Sequence, residues 1–289
     1  MAECAGLAIV DCPPKISTSI DCELMEMLES GIGCRGIAVR HATFDDSGGK
    51  QDGAFIYAGY IAPKGYWERF NGAWDEALAF YHLSHLHTSE FLQTIPIVGD
   101  KPRTDDDAYV ILEPFIKAIQ THLVWGEGYA VIGVTTADAW SGLTRDEKKV
   151  VRQPPLDAFE SAVGLACRSL TSSLSRANPL SIQVDEGGDI AVMAGAYRKL
   201  KMFPIYRESL GAICFVDDTK LRSIQAADLL AHLALRHWRK NKLAEPLDPR
   251  LRRLIVDNPK RGPEHFLIHD AAALRALART RMESVEQKQ

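Results

Sequence analysis

The chain has 289 residues, of which 46% are hydrophobic and 25% charged, and its formal net charge is -4. That length and composition belong to a globular protein with a sizeable core, and exclude a disordered or fibrous chain. The slightly acidic balance excludes a generic DNA-coating protein, which would be strongly basic, so any contact with a polyanion has to be local.

Residues 1–34 read as an N-terminal extension. Pro13 and Pro14 interrupt it, a short helical pattern runs from Asp21 to Glu29, and Gly31 and Gly33 stop that pattern. The cysteines Cys4, Cys12, Cys22, Cys34, Cys167 and Cys214 form no C-x-x-C pair, and the spacing of the first four fits no zinc knuckle. No basic leader region and no apolar run of the roughly 20 residues that a membrane helix requires is present. A cytoplasmic protein with free thiols and no membrane contact is expected.

Residues 35–289 are expected to form a single domain. RGIAVRHATF reads as a strand ending in DDSGG, and AFIYAGYIAP as a second strand closed by Pro63; the short polar link predicts an antiparallel pair. Trp67 to Leu83 has a helical pattern, and Asp105 to Leu123 a second one in which Asp105, Asp106 and Asp107 supply a cap and favourable charge at the positive end. GYAVIGVTT predicts a strand. After Gln153–Pro155, a helix is expected from Asp157 to Leu174, then the strand LSIQVDEGG, a helix over Ile190 to Leu200 and the strand SLGAICFVDD. The helix Ile224 to Lys240 follows, and then a basic helical segment. Strands alternating with helices in the second half predict an α/β fold with at least partly parallel pairing.

Three strand ends carry acids: Asp45 and Asp46, Asp185 and Glu186, Asp217 and Asp218. Strand ends are where side chains converge on a cleft without breaking a ladder. Asp and Gly are also turn formers, and each stretch taken singly reads first as a strand-ending loop. The helix IQAADLLAHLALRHWRK adds a narrow polar stripe of Gln225, Asp228, His232, Arg236 and Arg239 on an otherwise apolar surface. Converging carboxylates need a cation, and hard oxygen ligands favour magnesium or manganese. Two such ions about 3.5–4 Å apart would stabilise the attacking and leaving oxygens of phosphodiester cleavage. The chain has no G-x-S-x-G elbow, no Walker-type phosphate loop and no strand-linked G-x-G-x-x-G, which argues against those chemistries.

FDDSGG with AFIYAGYIAP, the later VDEGG and above all IQAADLLA resemble the motifs of the bacterial domain of unknown function family 3800, from about Arg35 to Lys240. The resemblance implies a ribonuclease H-like fold, a mixed sheet flanked by helices, in which carboxylates of the first strand, a later strand and a late helix hold two divalent ions. It implies Asp45, Asp185 and Asp228 as metal ligands and catalytic residues, with Ser47 and Gly48 shaping the adjacent turn. Gln225 would orient Asp228 or touch substrate. Asp46 stands where the family has Glu, a longer carboxylate, and so belongs beside the ligands rather than among them. In HLSHLHTSEF a fourth ligand is expected at His87 or Glu90, while His82 and His85 fit a partly exposed helix end. The expected function is a magnesium- or manganese-dependent nuclease. His232, Arg236 and Arg239 would lead toward substrate phosphates, and the basic segment after them would hold a nucleic-acid backbone. The alternative is a catalytically inert module that binds nucleic acid or protein in a defence or mobile-element setting.

Overall fold

The computed structural model describes residues 40–94, 109–170, 178–187, 190–242, 247–255 and 266–286. The N-terminal extension with its Asp21–Glu29 pattern and four cysteines, the Asp105–Asp107 cap, and the basic residues Lys260 and Arg261 lie outside the described residues. Of the two cysteines within them, Cys167 is buried and Cys214 half-buried.

β1 (Arg40–Gly49) and β2 (Ala54–Pro63) form the predicted antiparallel hairpin through a single 3-10 turn at Lys50–Asp52. Gly48 has φ of 89°, and a Cβ there would stand 2.6 Å from the Ala54 carbonyl oxygen, so this turn accepts only glycine. Pro63 ends β2 and fixes the entry to α1 (Lys64–Phe80). Next come α2 (Thr88–Thr94) and α3 (Glu113–Ile119), which widens into a π turn at Gln120–Val124. β3 (Tyr129–Thr136), α4 (Ala137–Ser141) and α5 (Arg145–Val150) lead to α6 (Pro154–Ser169), which starts at a proline because the missing N–H has no helical partner to lose there. β4 (Leu180–Asp185), α7 (Ile190–Met202), β5 (Leu210–Val216) and α9 (Arg222–Asn241) complete the predicted series, with the short helix α8 (Pro204–Arg207) added between α7 and β5. The sequence reading expected a basic helical segment here without bounds, realised as α10 (Pro249–Ile255) and α11 (Ala271–Glu286); it did not anticipate α2, α4, α5, α8 or β6 (Phe266–His269).

The six strands form one mixed sheet in the order β5-β4-β1-β2-β3-β6. β2 runs against both neighbours, and every other pairing is parallel. All strands except β2 therefore end on the same edge, which carries Asp45, Asp185 and Asp217. The partly parallel α/β sheet expected from the alternation is present, and among the described residues no helix is long and apolar enough to cross a membrane.

Strand alternation divides the side chains between two faces. Ala54, Ile56, Ala58, Ala62, Ile132 and Val134 point to the side covered by α1, α3, α9 and α10, where Trp67, Phe70, Trp74 and Phe115 are completely buried. Ala42, Phe44, Tyr57, Ile182 and Val184 point to the other side, against α6 and α7. Burying each such large side chain contributes about 1.5–3 kcal/mol. α6 lies close to the sheet because Gly133 has no side chain: a Cβ there would be 2.2 Å from the Ala158 carbonyl oxygen.

Candidate metal centre

On β1, Phe44 faces α6, so its neighbour Asp45 faces α9. On β4, Val184 faces α6 and α7, so Asp185 also turns to the α9 side. Asp228 on α9 completes a group of three, in which the charges of Asp228 and Asp185 both act on Asp45. Asp45, 9% exposed, is pushed well above the ordinary carboxylate range by burial, then by the charges of Asp228, Asp185 and Asp46. Asp185 is raised by burial and by Asp218 and Asp217, against an opposing hydrogen bond from the Gly187 N–H to its Oδ2 at 2.8 Å. Asp228 is raised by burial, while the Thr88 N–H donates to its Oδ2 at 2.7 Å and the nearby His87 favours its charged form.

Asp46 has the opposite parity. It lies across from Tyr57, which points into the α6 face, so the two adjacent aspartates diverge. Although solvent reaches its surface, Asp46 is enclosed enough that desolvation is the first cause of its raised pKa, followed by the charges of Asp185 and Asp228. Tyr57 is itself raised by burial and by these acids, and its hydroxyl donates to Met193 Sδ at 3.7 Å. Ser47 is half-buried in the outgoing strand.

Of the two candidates for a fourth ligand, His87 is half-buried, 3.1 Å from Ser89 Oγ through Nδ1, and close enough for its charge to act on Asp228. Glu90 is exposed on α2.

The polar stripe of α9 makes contacts different from those the sequence suggests. Gln225 is completely buried: its Oε1 accepts from Trp74 Nε1 at 2.9 Å and from the Leu86 N–H at 3.1 Å, and its Nε2 donates to the Asp218 carbonyl at 2.9 Å. With both ends engaged inside the protein, it braces the segments before Thr88 and before α9. His232 Nε2 lies 3.1 Å from the Tyr109 hydroxyl, and burial together with Arg239 and Arg236 lowers its pKa to about 4. Arg236 is only 8% exposed, its guanidinium 3.7 Å from the centre of the Tyr109 ring. His232 is half-buried and Arg239 is exposed, and Asp52 of the hairpin turn holds Arg239 through bonds of 2.9 and 2.6 Å.

The basic segment is likewise engaged. Arg250 packs over Tyr109, and Arg253 makes a two-pronged pair with Glu113 at 2.7 and 2.8 Å. Asp217 behaves as a turn former: it accepts from Thr219 and pairs with Lys220, which lowers its pKa to about 2.

Thr88 and Tyr109 carry no sequence motif, because both act through contacts across more than a hundred residues. A further pair, Asp157 and His269, also went unanticipated. His269 Nδ1 donates to Asp157 Oδ2 at 2.7 Å, Thr135 Oγ1 donates to the same oxygen at 2.8 Å, and Ser161 Oγ lies 3.2 Å from the same imidazole nitrogen. A Ser-His-Asp triad needs serine and aspartate on opposite ring nitrogens, so this cluster is a brace between α6 and β6.

Hard oxygen donors that destabilise one another are the chemistry a divalent cation would relieve. As the side chains stand, no three His, Cys, Asp or Glu among the described residues are drawn together tightly enough to hold an ion, so Asp45, Asp185 and Asp228 would have to turn inward to share one. No protein-family model matches the chain, and no curated protein matches it.

Proposed function

We propose that the chain is a divalent-metal-dependent phosphodiesterase of the ribonuclease H-like class, acting on nucleic acid, and that it is related to the family its motifs resemble. One observation carries this reading: Asp45, Asp185 and Asp228, from the first strand, a later strand and a late helix, lie on one side of the sheet, where burial raises the proton affinity of all three and the charges of Asp228 and Asp185 raise that of Asp45 further. This is the donor set that the resemblance implies, on a mixed sheet flanked by helices.

Bound magnesium or manganese would supply Lewis-acid stabilisation of the phosphodiester oxygens. Asp45 and Asp185 would hold the ions from the sheet. Asp228 would hold them from the helix, after turning from the rotamer in which its Oδ2 accepts from the Thr88 N–H. His87, beside Asp228, is placed to take or give a proton at the edge of the site. Arg239 is the exposed cation of the stripe, and substrate would compete for it with Asp52. The test is calorimetric titration of magnesium and manganese into the wild type and an Asp45→Asn/Asp228→Asn variant, followed by cleavage of labelled RNA and DNA. Metal binding and cleavage that both vanish in the variant are expected; cleavage that persists in it would overturn the mechanism.

A further inference from the structure

We infer that the cleft between the β1–β2 turn and the start of α6 binds a segment of single-stranded nucleic acid, with one base stacked on Trp140 and Phe55 and the backbone held by Lys50 and Lys148. The cleft has a volume of about 560 Å³, and Ser141 and Gln153 complete its polar lining.

Three observations converge on this assignment. The first is chemical. Two aromatic rings and two ammonium groups line the cleft without any carboxylate among them, on a chain whose net charge is -4. Lys148 stands 6.0 Å from the centre of the Trp140 ring and donates to the Ser141 carbonyl at 3.3 Å, which keeps its charge at the rim of the aromatic platform. Aromatic platforms edged by cations suit single strands, whose bases are free to stack on protein; a duplex keeps its bases stacked on one another.

The second is electrostatic. α6 runs for 16 residues, and its N-cap residue Gln153 makes no side-chain capping bond. The positive end of its dipole lies at the cleft beside the lysines, with Pro154 and Pro155 offering no N–H there and Asp157 of the first turn opposing it. The third is position. Phe55 pairs with Gly48 on the hairpin, two residues from the Asp46–Tyr57 pair and on the same face as Tyr57. Two residues of strand span about 7 Å. The cleft therefore opens on the α6 face beside Asp46, across the sheet from Asp45, Asp185 and Asp228, and a strand bound in it would have to round the end of β1 to reach them. The direction of this path rests on the phosphodiesterase reading; the affinity of the cleft does not.

The test is anisotropy of fluorescein-labelled 12-residue oligo-dT and oligo-U, with the same oligo-dT in a duplex as a third arm, titrated with the full chain carrying Asp45→Asn/Asp228→Asn to prevent cleavage. Adding Trp140→Ala is expected to weaken single-strand binding about tenfold, and Trp140→Phe to restore most of it. Because Trp140 also packs against a small apolar cluster, Lys50→Glu/Lys148→Glu is tested separately. It should weaken binding and reduce the salt dependence of log K by about 1.4, the expectation for two single-strand phosphate contacts. A difference between oligo-dT and oligo-U would identify the sugar preferred. Unchanged binding in both cleft variants, or equal binding of the duplex, would overturn the inference. Cleavage lost only in the aspartate variant, with cleft variants binding normally, would leave the phosphodiesterase reading standing without this cleft. Binding lost in the cleft variants of a chain that never cleaves would leave the cleft standing without the enzyme.

Discussion

Two groups of enclosed carboxylates flank the same sheet, and their surroundings are opposite. On the α6 side, Asp157 accepts from Thr135 and His269, and Glu160 lies between Arg152 at 2.8 Å and Arg281 at 3.0 Å. On the α9 side, Asp45 accepts a 2.7 Å bond from the Asp46 N–H and is otherwise subject to the charges of Asp228, Asp185 and Asp46. Burial alone marks neither group as functional. What separates them is compensation: the first group holds the fold together, and the second is a source of strain that a cation would remove.

The contrast is broken most directly from the compensated side. Glu160→Ala leaves Arg152 and Arg281 partly enclosed without their carboxylate and is expected to cost about 4 kcal/mol. In thermal unfolding this would lower Tm by about 8–16 °C. Gln225→Leu deprives Trp74 Nε1, the Leu86 N–H and the Asp218 carbonyl of their partner, and should cost about 2–3 kcal/mol in urea unfolding.

Asp45→Asn has the opposite sign. It removes one of the repelling charges and is expected to stabilise the metal-free protein by about 1 kcal/mol, while eliminating any rise in Tm with magnesium. A loss of stability in this variant would show that the carboxylates are compensated after all. The same charge sets a pH dependence. Because the Asp45 value in the folded state lies above 3.8, the folded protein keeps that proton where the unfolded chain has released it. Its contribution therefore improves as the pH falls from the folded-state value toward 3.8, and is lost as the pH rises through that window. His41 and His232, held near about 4 against an ordinary 6.5, act in the opposite sense, costing stability as the pH falls from 6.5 toward 4. The difference between wild type and Asp45→Asn at each pH isolates the aspartate. The smallest effect is expected for Arg239→Ala: its pair with Asp52 is exposed on the arginine side, so the change should stay below about 0.5 kcal/mol.

The carboxylate group was legible in sequence to the extent that alternation and strand ends define it. DDSGG and VDEGG mark the ends of parallel neighbours, and Asp228 lies two turns into the helix that follows β5. Period-two alternation also separates Asp45 from Asp46, although the chemistry of the motif directs attention to both. The stripe on α9 was legible as a stripe, but its partners were not. Gln225 and Arg236 are buried because Leu86, Trp74 and Tyr109, brought in by other elements, cover them. β6 escaped because FLIH is four residues long and half-buried throughout, which gives no periodic signal. The basic segment showed its charge in sequence but not the Glu113 and Tyr109 contacts that engage it.

The strand order has a consequence for biosynthesis. The β1–β2 hairpin joins neighbours in the chain and can pair as soon as both strands leave the ribosome, whereas β4 reaches β1, and β6 reaches β3, only after long intervening segments have been made. Asp45 is thus expected to be synthesised early and enclosed late, when β4 and then α9 arrive. Throughout elongation the nascent chain would present a solvated aspartate with an ordinary proton affinity, and its unusual chemistry would begin only with the docking of a helix encoded nearly two hundred codons downstream.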